Sequence, residues 1–333
     1  MSVSNSDQDY VFLTTLLRAR QADMLSGDKL EQMISSESYA EAAKVLSECG
    51  WPDFSEADSA EIDRVLTERR CALFDEISAI IPQPEVMELV RLRYDYHNAK
   101  TLIKSEGAGV EGEYLLSEAG TLPGKKLEKE YTENEYILAS GIIATAMREA
   151  KAVLARTENP QLADSVLDRA YYHEMSLTAK KLGNDFIQGY VRTLIDGANL
   201  RTLIRCARMR KDADFVATVL LPGGSFQEPF LARQAGAADG IAAVFAGSAY
   251  GKAAELGAKA VHSGSLTAFE LECDNVVNRY IAQTKLMSFG PEMVLGYLTA
   301  EENNITAVRM ILTGILAGIA PERLRERLRD TYV

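Results

Sequence analysis

Three times, at intervals of about one hundred residues, this chain writes an acidic residue followed three positions later by asparagine inside an apolar, helix-periodic run. The copies are Asp95-Tyr96-His97-Asn98, Asp196-Gly197-Ala198-Asn199 and Glu301-Glu302-Asn303-Asn304. Such self-similarity constrains architecture more than composition does, because each copy must fold as a version of one unit. Two further landmarks keep step with it. Leu25-Ser26-Gly27, Leu122-Pro123-Gly124 and Leu221-Pro222-Gly223 each carry an apolar residue three places beyond the glycine, namely Leu30, Leu127 and Phe226. Asp63, Asp168 and Asp274 precede the three asparagines by 30 to 35 residues. The chain therefore divides into three related blocks, 1–108, 109–212 and 213–333, with joints at Gly107-Ala108-Gly109-Val110-Glu111-Gly112 and Lys211-Asp212-Ala213-Asp214.

The period inside the blocks is helical. Ile187, Val191, Leu194 and Ala198 recur at steps of four, three and four, and Ile305, Val308, Leu312 and Ile315 at three, four and three. Strand character is confined to a short run such as Phe215 to Leu221, which Pro222-Gly223-Gly224 interrupts. The expected fold is all-α. Each Leu-x-Gly landmark reads as a turn with a new helix just after it, since glycine tolerates positive φ and the prolines at 123 and 222 donate no hydrogen bond.

Composition narrows the function. The chain has 333 residues, 47% of them hydrophobic and 25% charged, enough for a substantial core. A net charge of −12 argues against nucleic acid, which calls for clustered Lys and Arg on one face. Cys49, Cys71, Cys206 and Cys273 lie far apart with no Cys-x-x-Cys pair, and read as reduced, mostly buried thiols. Met1 to Asp9 is polar and acidic, unlike a secretory signal, so residence in the cytosol is expected. The longest apolar stretch, Ile311 to Ala320, falls short of the ~20 residues that a membrane span requires.

Catalytic motifs are hard to find. His173-Glu174 starts like a zinc-protease helix, but Leu177 stands where the second histidine belongs. In Gly247-Ser248-Ala249-Tyr250-Gly251-Lys252 the glycines are one residue too close for a phosphate loop, and Ala253 replaces the metal-binding hydroxyl. No Gly-x-Ser-x-Gly elbow appears. The Glu301-Glu302 pair reads as a solvated helix face. No cofactor or metal is expected.

The three Asp/Glu-x-x-Asn pairs have two readings. One turn apart on one helix face, they satisfy interhelical contacts, or they line a shared central cavity that receives a partner's polar or basic tip. Lys100 and Lys104, then Arg201 and Arg205, follow the first two pairs and are positioned for neighbouring blocks or for that partner. In the third copy Thr306 stands at the Lys100/Arg201 position and Arg309 comes three residues later.

The run Arg91-Leu92-Arg93-Tyr94-Asp95-Tyr96-His97-Asn98-Ala99-Lys100-Thr101-Leu102-Ile103-Lys104 closely resembles the Tyr-Asp-x-x-Asn-x-Lys-x-Leu segment of the C subunit of prokaryotic V-type ATP synthases, a relative of the d subunit of eukaryotic V-ATPases. The resemblance extends to Leu16-Leu17-Arg18-Ala19-Arg20, to Ile195-Asp196-Gly197-Ala198-Asn199-Leu200-Arg201, and to the Tyr-Leu-x-x-Glu-x-x-Asn-Ile pattern at 297–305, and so spans essentially the whole chain. It implies a funnel of three similar helical modules in pseudo-threefold arrangement. It also implies a non-catalytic rotor component on the cytoplasmic face of the membrane, seated between the rod formed by the D and F subunits and the membrane proteolipid ring. The residues then expected to define the modules or touch partners are Asp95, Asn98, Lys100, Asp196, Asn199, Arg201, Glu301 and Asn304. From the residues alone, a free-standing helical-repeat scaffold is the rival, although solenoids use more and shorter repeats.

Overall fold

The computed structural model describes residues 7–110, 112 and 115–333, and among these every regular element is helical. Glu111, within the first predicted joint, and the first six residues lie outside the described residues. In the first block, α1 (Val11–Gln21), α2 (Gly27–Ile34), α3 (Tyr39–Glu48) and α4 (Ser59–Ile80) lead into α5 (Glu85–Ala108). The second holds α6 (Gly124–Glu133), α7 (Gly141–Thr157), α8 (Pro160–Leu182) and α9 (Asp185–Arg208). The third holds α10 (Ala213–Val219), α11 (Glu228–Ala232), α12 (Ala238–Phe245), α13 (Gly251–Ser263), α14 (Thr267–Ala282) and α15 (Pro291–Leu316), followed by the short α16 (Pro321–Arg325).

Local chemistry sets many of the boundaries. Asp58, Asn184 and Asp212 accept hydrogen bonds from the backbone amides of Glu61, Ile187 and Phe215, satisfying donors that a helix start leaves unpaired. Pro160 and Pro291 open α8 and α15, where a missing amide hydrogen is harmless. Gly109 and Gly183 end α5 and α8 at φ +65° and +67°, a left-handed conformation that admits glycine freely. The cap from Asp212 also corrects the strand expectation. Ala213–Val219 is helix, and only Leu220 and Leu221 are left to run on towards the Pro-Gly-Gly break. The turn landmarks hold in two blocks of three: α2 and α6 begin at Gly27 and Gly124, whereas in the third block α11 begins only at Glu228, beyond Gly223.

The three signature runs lie on the long helices α5, α9 and α15, about 36–39 Å each at 1.5 Å per residue. Two of these helices thread between cores. Ile187, Val191 and Ile195 of α9 belong to a core shared with α1, α5 and α8, while Leu200, Leu203 and Ile204 join one built by α10 to α14. Helix α15 does the same, with Val294 to Ala300 in the shared core and Ile305 to Leu312 among α2, α3 and α4. Fully burying each such aliphatic side chain contributes about 1.5–3 kcal/mol. The third block is thus tied to the first by its own last long helix.

Candidate functional site

In the first two copies the acid and the asparagine hold a loop from the next block. Asn98 donates through Nδ2 to the Ser117 carbonyl at 2.8 Å and accepts the Ser117 amide at 2.7 Å. Asn199 does the same with Leu221, at 2.9 and 2.8 Å. A side-chain amide has one acceptor oxygen and one donor nitrogen, so it can engage both backbone groups of one residue as a neighbouring strand would. The acids grip the same loops further along. Asp95 accepts the amides of Thr121 and Leu122, and Asp196 accepts both the amide and the hydroxyl of Ser225. Glycine is required beside them, because a Cβ on Gly120 would lie 2.3 Å from Asp95 Oδ1 and one on Gly224 would lie 2.4 Å from Asp196 Oδ1. Burial pushes the Asp95 carboxyl up to about 6 against the pull of the Leu122 and Thr121 amides, and raises Asp196 in the same sense.

The basic residues complete the joints, one block to the next. Lys100 on α5 meets Asp168 on α8 at 2.6 Å, and Lys104 meets Asp164 at 2.7 Å. Arg201 on α9 bridges Asp274 and Glu270 on α14 at 2.6 and 2.7 Å, with Arg205 also on Glu270. Arg309 on α15 reaches back to Asp63 on α4 at 2.5 Å. The three aspartates that keep step in sequence are thus the acceptors for the preceding block's cation, and the third pairing closes the cycle. Arg309 replaces the missing cation at position 306 because three residues is nearly one helical turn and preserves the face.

The third copy departs at its polar pair. Glu301 and Asn304 are buried, yet Asn304 Nδ2 and Glu301 Oε2 have no hydrogen-bond partner among the described residues, and Arg69 stands 3.6 Å from the carboxylate. Burial raises the Glu301 carboxyl, with Arg69 opposing. In the first block the non-helical residues 22–26 join α1 to α2, with Ser26 in extended backbone, and among the described residues no hydrogen bond links this stretch to Glu301 or Asn304. The C-terminal segment bridges this seam instead. Arg325 pairs with Glu31 on α2, Arg329 with Asp274 on α14, the Asp330 amide donates to Asn275, and the Tyr332 and Thr284 hydroxyls meet at 2.8 Å. A cavity of about 470 Å³ lies beneath, lined by Leu30, Asn304, Met310 and Arg329 among others.

A second cavity, of about 670 Å³, is shared by all three blocks. Asp63 and Arg70 of α4, Arg93, Tyr94 and Lys100 of α5, Asp168 and Tyr171 of α8, and Arg309 of α15 all face it. Of the eight signature residues only Lys100 lines it. Glu302 stands at its wall, accepting from Arg70 Nε at 2.7 Å and from the Tyr94 hydroxyl. The Glu301-Glu302 pair is therefore no solvated face: both are less than 7% exposed and stand against cations of the first block. Sequence reasoning missed Arg70, Arg93 and Glu302. The clue was available, since Glu302 lies one residue off the signature face of a helix that is apolar on nearly every other side.

Among the described residues no helix is long and apolar enough to cross a membrane, and no cluster of His, Cys, Asp or Glu could hold a metal ion. Residues 13–327 match the family described as ATP synthase (C/AC39) subunit. The chain is 24% identical to the C subunit of the V-type sodium ATPase of Enterococcus hirae, over 97% of this chain and 99% of that one. It is also 25% identical to the C subunit of the A-type ATP synthase of Halorubrum lacusprofundi, over 98% and 99%. The corresponding A-type protein of Methanocaldococcus jannaschii is 23% identical over 96% of this chain and 86% of its own. An all-helical chain whose blocks are joined by a repeated latch, matched from end to end in this way, belongs to the ATP synthase (C/AC39) subunit family, whose members are components of rotary ATPases.

Proposed function

We propose that the chain is a non-catalytic rotor adaptor, a socket that links the rod of D and F subunits to the proteolipid ring and passes torque between them during proton or sodium-ion transport. The observation that carries the reading is the cavity shared by three blocks whose contacts run first to second, second to third and third back to first. A cyclic set of joints resists twisting better than an open chain of modules, because no block is free to turn without straining two seams. Close-packed helices add low compressibility. On this reading 1–108, 109–212 and 213–333 are three modules of a funnel, each latched to the start of the next, and the chain works on the cytoplasmic face of the membrane.

The electrostatics support a detachable contact at the ring. A net charge of −12 complements cytoplasmic loops rich in Lys and Arg, so raising salt should weaken ring attachment. Incubating the purified chain with D/F rod and detergent-solubilised ring, then sedimenting the mixture, tests the proposal. Co-sedimentation of rod with ring only when the chain is present is the expected result. Binding to neither would overturn the socket and favour a free-standing scaffold.

A further inference from the structure

Resting on the socket reading, we infer that the three-block cavity admits an acidic segment of its partner, anchored on the guanidinium of Arg93. The chain as a whole is strongly acidic, yet this cavity reverses the sign: Arg70, Arg93, Lys100 and Arg309 line it against Asp63, Asp168 and, at its wall, Glu302. Three of those cations are already neutralised, Lys100 by Asp168, Arg309 by Asp63, and Arg70 by Glu302. Arg93 is not. Its nearest carboxylate oxygen is Glu302 Oε2 at 3.9 Å, which the Tyr94 hydroxyl already engages, and its side chain is 57% exposed. Among the described residues the Arg93 guanidinium makes no hydrogen bond; it lies over the Tyr94 ring at 5.2 Å, which orients the planar head while leaving its donors open. An Arg fork presents paired N–H groups that match a carboxylate, and in a recess walled by Tyr94 and Tyr171 such a bond is screened less than at the surface. The asparagine pairs do not supply the recognition, because in the first two copies they are spent on loop backbone.

The test is a calorimetric titration of purified D/F rod into the full chain at low and moderate salt, with Arg93→Gln, Arg93→Glu and the control Arg64→Glu, an exposed α4 residue outside the cavity. Circular dichroism checks that each variant is folded. Expected is a loss of ten-fold or more for Arg93→Glu, a smaller loss for Arg93→Gln, little change for Arg64→Glu, and a wild-type affinity that falls with salt more steeply than that of Arg93→Gln. Rod binding left unchanged by Arg93→Glu would overturn the inference while sparing the socket, and equal losses in Arg93→Glu and Arg64→Glu would overturn it as a general charge effect. If the wild-type chain fails to bind rod at all, the socket itself falls.

Discussion

Replacing Asn199 by leucine and Asn304 by leucine should have opposite consequences, although the two residues occupy the same place in the repeat. Asn199 is 1% exposed and makes two hydrogen bonds with the equally buried backbone of Leu221. Leucine leaves both the Leu221 amide and carbonyl unpaired, and each stranded group costs about 1–3 kcal/mol. The added apolar burial offsets part of that, so Asn199→Leu is expected to lose about 2–5 kcal/mol. Asn304 starts from the opposite condition. Its Nδ2 is buried without a partner, so leucine removes a desolvated donor, and the cavity of about 470 Å³ beside it accommodates the branched carbons. The expected change is within about 1 kcal/mol of neutral, on the stabilising side. A three-block chain need not unfold in one step, so urea midpoints by far-UV circular dichroism should be read together with amide exchange at Leu221. Equal losses in the two variants, or undiminished protection of the Leu221 amide in Asn199→Leu, would refute the latch argument.

Other predictions rest on the same joints. The folded Asp95 pKa of about 6 lies above its ordinary 3.8, so the folded chain holds that proton longer. Its contribution to stability is present at low pH and lost as pH rises between those values, by at most about 3 kcal/mol. The stability difference between the protein and Asp95→Asn should therefore move in favour of the variant from pH 4 to 6 and then flatten; a difference constant across that range contradicts the assignment. Arg201→Ala, which breaks a half-buried pair of ion pairs, should cost about 2–3 kcal/mol in chemical denaturation, and Arg309→Ala, in an exposed pair, under 1 kcal/mol. A chain ending at Arg327 loses Leu328 from the core that holds Leu30 and Leu312, together with the bonds to Asn275, Asp274 and Thr284, and should show faster amide exchange along α2, α14 and the C-terminal half of α15 while α9 stays protected. Uniformly unchanged exchange would show that the tail does not hold the seam.

What the sequence made legible was the polar code, and what it concealed was the direction in which the code is read. Asp95, Asn98, Asp196 and Asn199 stand out because a buried acid and amide one helical turn apart are too costly to repeat without partners. Asp63, Asp168 and Asp274 stand out by spacing. Spacing cannot say whether an aspartate serves its own block or its neighbour, since both arrangements leave the same period. Only the folded chain shows Lys100 crossing to Asp168, Arg201 to Asp274 and Arg309 returning to Asp63. That direction also explains why the third copy decays. Blocks two and three each follow the helix that latches them, so their leading loops are held by side chains already placed. Block one instead precedes α15 in the chain, and among the described residues no hydrogen bond joins Glu301 or Asn304 to its 22–26 connection between α1 and α2. A linear chain closed into a cycle must leave one seam without covalent continuity. Here that seam carries two unsatisfied polar groups, a cavity and a C-terminal strap, so it is the place where the cycle should open first under load.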